Sequence, residues 1–186
     1  MCIRDSTCIA CNQACLDHTF SMKTTSCLVN PRACHETMLS YEPTTSPKSV
    51  AVIGAGPAGL AYSTVAAERG HKVTLFDAAD EIGGQFNLAK RVPGKEEFHE
   101  TLRYYSKMLD KLDVDVRLGE RVSAADLEGQ GFDHVVVATG IRPRVPNIKG
   151  IDHPMVVGYI DAIMGRKPIG KKLSLIHISE PTRLER

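Results

Sequence analysis

The apolar positions change character along the chain. Between Cys8 and Glu36 they follow neither a two-residue nor a 3.6-residue period, so this stretch predicts loops without a core of their own. Residues 38–48 (MLSYEPTTSPK) hold two prolines among Ser and Thr, a linker composition. Regular patterning begins at Ser49. Ser49–Ile53 (SVAVI) predicts a short buried strand. Pro57–Arg69 predicts a helix, with proline in its first turn and Gly70 as its stop. Lys72–Phe76 (KVTLF) predicts a second strand, and residues 78–94 a loop-rich excursion around Gly83, Gly84 and Pro93-Gly94. Lys95–Leu112 carries Phe98, Leu102, Tyr105 and Leu109 at helical spacing. Val114–Leu118 alternates like a strand. Phe132–Ala138 ends in the run His134–Ala138, expected to be buried and closed by Thr139-Gly140. Strands alternating with helices predict an α/β, Rossmann-like βαβ fold with a parallel sheet covered on its faces. There is no internal repeat.

A chain of 186 residues allows one domain plus appendages. At 42% hydrophobic and 24% charged residues it can build a core. A formal net charge of +1 provides no field for nucleic acid or an anionic membrane, and the absence of Trp argues against a stacking platform for single strands. No apolar run approaches the roughly 18 residues of a spanning helix. Arg4 and Asp5 stand where a secretory signal would be apolar, so the expected location is cytoplasmic. In a reducing compartment, six cysteines point to metal or redox chemistry before disulfides. Residues 1–6 (MCIRDS) and 173–186 (LSLIHISEPTRLER) look foreign to the rest, like translated adapter sequence; the alternative for LSLIHIS is a natural edge strand.

Cys8, Cys11, Cys15 and Cys27 have the spacing C-x2-C-x3-C-x11-C. Thiolates suit iron–sulfur clusters because metal and ligand are both soft. Three cysteines on one loop can hold three corners of a cluster, and Cys27 can close the cage. The first pair alone would serve zinc equally well. Zinc, however, usually takes two separated C-x-x-C pairs or histidines, which favours a [4Fe–4S] cluster here. Zinc and unligated thiols stay open as alternatives. Cys34 could be a fifth ligand, although a structural thiol is the favoured reading, and His18 and His35 are expected to be ordinary polar residues and not ligands.

Gly54-Ala55-Gly56-Pro57-Ala58-Gly59 comes after a strand, opens a helix and precedes a second strand ending in Asp77. That context makes G-x-G-x-x-G a dinucleotide fingerprint. Gly54 allows the tight turn, Gly56 lets backbone approach a pyrophosphate, and Gly59 lets helix pack on strand. The pyrophosphate is expected at the helix N-terminus, over Pro57 and Ala58. Asp77, with Ala78 beside it, is expected to accept hydrogen bonds from an adenosine ribose and to repel a 2′-phosphate. Gly83-Gly84-Gln85 and Ala138-Thr139-Gly140 resemble the flavin-binding domains of two-dinucleotide flavoproteins, which favours FAD over NAD. On that reading Gly84, Gln85, Thr139 and Gly140 lie toward the flavin and Val122 near the adenine. Arg91 and Lys95 are candidate phosphate contacts or simply solvated charges.

Together, CIACNQACLDHTF, SCLVNPRACHET, VAVIGAGPAGLA, VTLFDAADEIGGQFNLAK and VPGKEEFHETLRYY resemble bacterial NADPH-dependent 2,4-dienoyl-CoA reductase. 2-Enoate reductases and trimethylamine dehydrogenase share the layout. The small subunit of glutamate synthase is a more distant alternative, and a zinc-stabilised nucleotide-binding module a third. The resemblance implies an iron–sulfur segment at 7–37, a linker at 38–48 and the first half of an FAD-binding domain at 49–172. It implies a catalytic barrel with FMN upstream and an NADPH domain downstream as the partners of this chain within one polypeptide. In that scheme electrons run from NADPH to FAD, to the cluster, to FMN and to a conjugated C=C. No catalytic residue is expected within 1–186. Half of a split FAD domain would leave apolar sheet uncovered, so marginal stability and weak flavin retention are expected.

Overall fold

The computed structural model describes residues 6–174. The chain divides into two compact units, Met1–Val145 and Pro146–Arg186.

In the first unit, one helical turn, α1 (Leu16–Phe20), interrupts the cysteine segment. Only small or isolated apolar groups are buried there: Ile9, Ala14 and Ala33. Backbone bonds hold the segment instead, among them Ser26 N–H to Ala14 O at 2.7 Å and Lys23 N–H to His18 O at 2.8 Å. His18 and His35 each place Nδ1 3.1 Å from a carbonyl, of Thr24 and Ala33. The linker is stitched to the α/β body. Thr44 N–H donates to Arg69 O at 2.8 Å, and Lys48 N–H to His71 Nδ1 at 3.1 Å.

That body is built on four parallel strands: β1 (Ser49–Ile53), β2 (Lys72–Phe76), β3 (Asp115–Arg117) and β4 (His134–Val137), in the order β3-β2-β1-β4. This is the parallel α/β architecture that the strand–helix alternation predicts. Helix α2 (Pro57–Glu68) is apolar on most sides and buried between sheet and helix, with Leu60 and Ser63 fully enclosed. Its last turn closes on Gly70 at φ +90°, where His71 N–H reaches Ala66 O at 3.1 Å. The excursion after β2 contains the short α3 (Phe86–Ala89), which periodicity does not predict because one turn is too short to show a period. Helix α4 (Phe98–Lys111) turns Leu102 and Leu109 onto α2 and the sheet, and Phe98 stacks on Phe86 at 4.5 Å. The core is one cluster around Val50, Val52, Leu60, Val73 and Leu75. A turn of helix, α5 (Ala124–Leu127), sits between β3 and β4 with Ser123 and Asp126 capping each other.

Strand β4 departs from expectation. Its apolar run is not buried: Val135 is 48% and Val137 74% exposed, and Ile141 and Val145 beyond it are open as well. The register pairs Val135 with Ala51 and Val137 with Ile53, so these side chains share the sheet face opposite the one that holds Val50 and Val52. Strand β4 is an edge, bonded only to β1, and no described element covers its outer half. An apolar run marks a surface suited to burial, and the described residues do not supply its cover.

Tyr105, on α4, is partly buried, and burial raises its pKa above the ordinary tyrosine value, with Tyr104 and Tyr41 adding to the shift. Below about pH 10 the phenol is neutral in both folded and unfolded chains. Above it the unfolded chain ionises first, so the contribution of Tyr105 to stability is lost as pH rises through its folded value. Urea denaturation across the alkaline range is expected to show a steeper decline for the wild type than for Tyr105→Phe. Parallel declines would refute the shift.

In the second unit the described residues are mostly turns, with one short helix, α6 (Tyr159–Ile163), closed by Arg166 N–H to Asp161 O at 2.9 Å. None of the residues of α6 is buried. Among the described residues, no helix is long and apolar enough to cross a membrane. Residues 1–5 and 175–186, where most of the two foreign-looking ends fall, lie outside the described residues.

Candidate functional site

All four strands deliver their C-terminal ends to one side, where a doubly wound sheet binds its ligand. The turn after β1 is set by backbone contacts. Gly54 sits at φ +112°, and a Cβ there would meet Ala138 O at 2.4 Å. Gly59 packs α2 against this turn so closely that a Cβ would lie 1.8 Å from Gly54 O. Gly56, by contrast, has nothing within 4 Å of a Cβ position. It is the extended N-cap of α2, with Pro57 and Ala58 opening the helix, so the free amides of the first turn are bare. The steric logic of the three glycines thus differs: the first and third are forced by the fold, the second is open to an approaching group.

Asp77 stands at the end of β2. Its Oδ2 accepts from Ala55 N–H at 2.6 Å and its Oδ1 from Ala79 N–H at 2.8 Å. The carboxylate therefore staples the glycine turn to the end of β2, and lone pairs remain on both oxygens for a ligand hydroxyl. Gly83 N–H donates to Ala55 O at 2.7 Å, and a Cβ on Gly84 would meet Gly56 Cα at 3.1 Å. The excursion is thus docked on the turn. From it Gln85 Nε2 donates to Ile141 O at 2.7 Å, across to the segment after β4.

Between these pieces lies a cleft of about 330 Å³. Its wall is formed by Ile53 at the end of β1 with Gly54 after it, Phe76 at the end of β2 with Asp77 and Ala78 after it, Glu120, Arg121 and Val122 after β3, and Thr139, Gly140 and Arg142 after β4. Of the residues singled out from the sequence, Gly54, Asp77, Ala78, Val122, Thr139 and Gly140 line it. Gly56, Pro57, Ala58 and Gly59 build the adjoining turn; Gly84 packs on Gly56 and Gln85 bonds Ile141, and neither lines the cleft. Arg91 does not line the cleft, and Lys95 sits over the Phe98 ring at 5.5 Å. Arg121 and Arg142 escape sequence reasoning, since they occupy loops without a local pattern. The volume is at the small end for ligand pockets and suits the nucleotide half of a dinucleotide. Bare helix-start amides, an open Gly56 and a fixed acceptor at Asp77 fit an adenosine diphosphate moiety.

The cysteine site is less assembled. Cys8, Cys11, Cys15, Cys27 and Cys34 are all free thiols. Ala10 N–H donates to Cys8 Sγ at 3.4 Å, the kind of bond that steadies a thiolate, and Ala10 and Asn12 adopt positive φ to turn the loop. The Ser26–Ala14 bond brings the backbone of Cys27 beside that of Cys15. Yet among the described residues no three His, Cys, Asp or Glu side chains stand close enough to hold a metal ion. The backbone is compatible with the four-cysteine set, while the thiols as placed do not converge.

Comparison with known proteins agrees with the fold. The chain is 41% identical to a metal reductase of Desulforamulus reducens, over 91% of this chain and 26% of that protein. It is 33% identical to a cinnamate reductase of Clostridium sporogenes, again over 91% of this chain and 25% of the relative. Among solved structures, a 2-naphthoyl-CoA reductase complex superposes with a TM-score of 0.83 at 37% identity, covering 88% of this chain and 25% of that one. The chain therefore spans about a quarter of the length of the relatives it matches. The profile described as pyridine nucleotide-disulphide oxidoreductase matches residues 48–175, which contain the whole sheet and cleft, and the chain belongs to that family.

Proposed function

We propose that this chain is the electron-relay portion of a flavin-dependent oxidoreductase that reduces conjugated C=C bonds, with FAD in the cleft and a [4Fe–4S] cluster on Cys8, Cys11, Cys15 and Cys27. The observation that carries the proposal is the union of two elements in one compact unit: a four-cysteine segment hydrogen-bonded through its linker to the end of α2 and the start of β2, and a dinucleotide cleft at the C-terminal ends of the strands. Relatives named for reduction of cinnamate and 2-naphthoyl-CoA support the class of acceptor. Within that class the resemblance to 2,4-dienoyl-CoA reductase favours an unsaturated acyl thioester, with NADPH as donor and FMN at the acceptor end. Both of those groups, the barrel and the nicotinamide domain belong to parts of the polypeptide outside this chain.

Bound FAD would supply the exchange between two-electron and one-electron chemistry that such a relay needs. The residues of this chain bind and orient. The amides at the start of α2 would hold the pyrophosphate, Asp77 would accept from the ribose, and Val122 would border the adenine. Ile53 and Phe76 would add apolar contact where the strands end.

The test is composition. After anaerobic reconstitution with iron and sulfide, the purified chain is expected to hold about four irons with broad visible absorbance. Cys27→Ser is expected to abolish that absorbance. One zinc per chain, without iron, would refute the cluster. A chain that takes up iron and no flavin would refute the FAD assignment separately.

A further inference from the structure

The pyrophosphate of a dinucleotide carries about two negative charges, and a helix N-terminus offers only about half a positive one. From Gly54 to Ala67 there is no Lys or Arg, so the turn and helix that face the pyrophosphate supply no cationic side chain. Among the residues lining the cleft, two are cationic: Arg121 and Arg142. The strand order separates them. Arg121 comes after β3, beyond β2 and its Asp77, on the adenosine side. Arg142 comes after β4, which lies directly beside β1 and its glycine turn. Neither forms an ion pair with a described residue, although five such pairs occur elsewhere among the described residues.

We propose that Arg142 is the diphosphate-reading residue of this cleft, and that Gln85 positions it by holding the carbonyl of its neighbour Ile141. This rests on the dinucleotide reading of the cleft and extends it to two residues outside the glycine motif.

The positioning role comes from a continuous path of hydrogen bonds. The glycine turn offers Ala55 O to Gly83 N–H at 2.7 Å. Two residues on, Gln85 Nε2 reaches Ile141 O at 2.7 Å, across 56 positions of sequence. The segment after β4 is anchored at its start, where Ala138 N–H donates to Ile53 O at 2.8 Å; Ile141, three residues on, is 77% exposed, and the bond from Gln85 holds its backbone to the docked excursion. The next residue is Arg142. A side chain free to rotate on an exposed loop would lose much of the value of a forked contact to phosphate oxygens. A pinned backbone preserves it. Gln85 is thus a positioning residue, and it need not touch the nucleotide.

The experiment is calorimetric titration of the full chain with ADP and, separately, with adenosine, at fixed salt. Arg142→Gln is expected to weaken ADP roughly tenfold, the size of one charge-assisted contact, and to leave adenosine unchanged. Arg142→Lys is expected to recover part of the ADP affinity, because it keeps the charge and loses the fork. Gln85→Leu is expected to weaken ADP selectively. The double variant Gln85→Leu/Arg142→Gln is expected to be no worse than Arg142→Gln alone, because the glutamine acts through the arginine. An unchanged ratio of ADP to adenosine affinity in Arg142→Gln would overturn the assignment of Arg142. Multiplying losses in the double variant would overturn the positioning role of Gln85. A wild-type chain that binds neither ADP nor adenosine would instead overturn the dinucleotide reading, and this inference with it.

Discussion

Gly59→Ala is expected to destabilise the fold by about 3 kcal/mol or more, while Gly56→Ala leaves the stability of the nucleotide-free chain nearly unchanged. The two residues are three apart in the same motif, and their environments are opposite. A methyl on Gly59 would sit 1.8 Å from Gly54 O and 3.0 Å from Gly54 C. Both obstacles are backbone, so no side chain can swing away. Either α2 lifts from β1 or the turn that holds Asp77 and Ala138 is rebuilt. Lifting α2 uncovers Leu60, Val52 and Leu75 at the centre of the core. For a domain whose total stability is of order 5–15 kcal/mol, that is a large share. At Gly56 a methyl meets nothing within 4 Å, and its φ of −75° suits any residue. Its penalty should appear only when a pyrophosphate approaches, as lost ADP affinity. Urea denaturation of both variants without ligand, then ADP titration, checks this. Equal stability of Gly59→Ala and wild type would show that α2 does not pack as described.

Asp77→Ala is expected to destabilise the chain by about 1–2 kcal/mol before any nucleotide is added, and Asp77→Asn by roughly half as much. The carboxylate accepts two backbone amides, Ala55 at 2.6 Å and Ala79 at 2.8 Å. Alanine leaves both without that acceptor, in a turn where water can replace it only partly. Asparagine keeps one acceptor oxygen and presents an amide to the other N–H. Nucleotide affinity should fall further in both variants, because the ribose loses its acceptor and the turn its staple. A residue that served the ligand alone would leave the unliganded denaturation curve where it was. That outcome would show that the carboxylate does not brace the turn.

The glycine turn and its flanking strands are legible in the sequence because each carries a local signal. SVAVI and KVTLF are short β-branched runs, Pro57 opens a helix, Gly70 closes it, and Asp77 stands about 20 residues on. Helix α5 has a local signal too, the capping box Ser123-Ala124-Ala125-Asp126, but the segment lacks the apolar period that would mark it as a helix. The position of β4 can be read from its residues and its burial cannot. His134–Ala138 has the composition of a central strand, and composition reports which surface wants cover, not whether this chain provides it. Arg121 and Arg142 cannot be found from spacing. They reach one cleft only because the sheet order brings β3 and β4 to its two sides. The bond from Gln85 to Ile141 is of the same kind, joining exposed residues with no pattern between them. For the cysteines, spacing is consistent with the close approach of the backbone at Ala14 and Ser26, whereas the directions of the thiols depend on side-chain rotation that no spacing encodes.

The register of the sheet also orders its assembly in time. Strands β1 and β2 are joined across short separations, as in the bond from Lys48 to His71 spanning 23 residues. Strand β4 reaches β1 only by closing a far larger loop, as in the bond from Ser49 to Asp133 spanning 84. The β1–α2–β2 unit is therefore expected to form early and β4 to join late, after the greater loop-closure entropy has been overcome. Because the cleft needs Thr139, Gly140 and Arg142, a nucleotide finds its full site only after that last step. Bound ligand should accordingly slow unfolding while leaving the folding rate almost untouched.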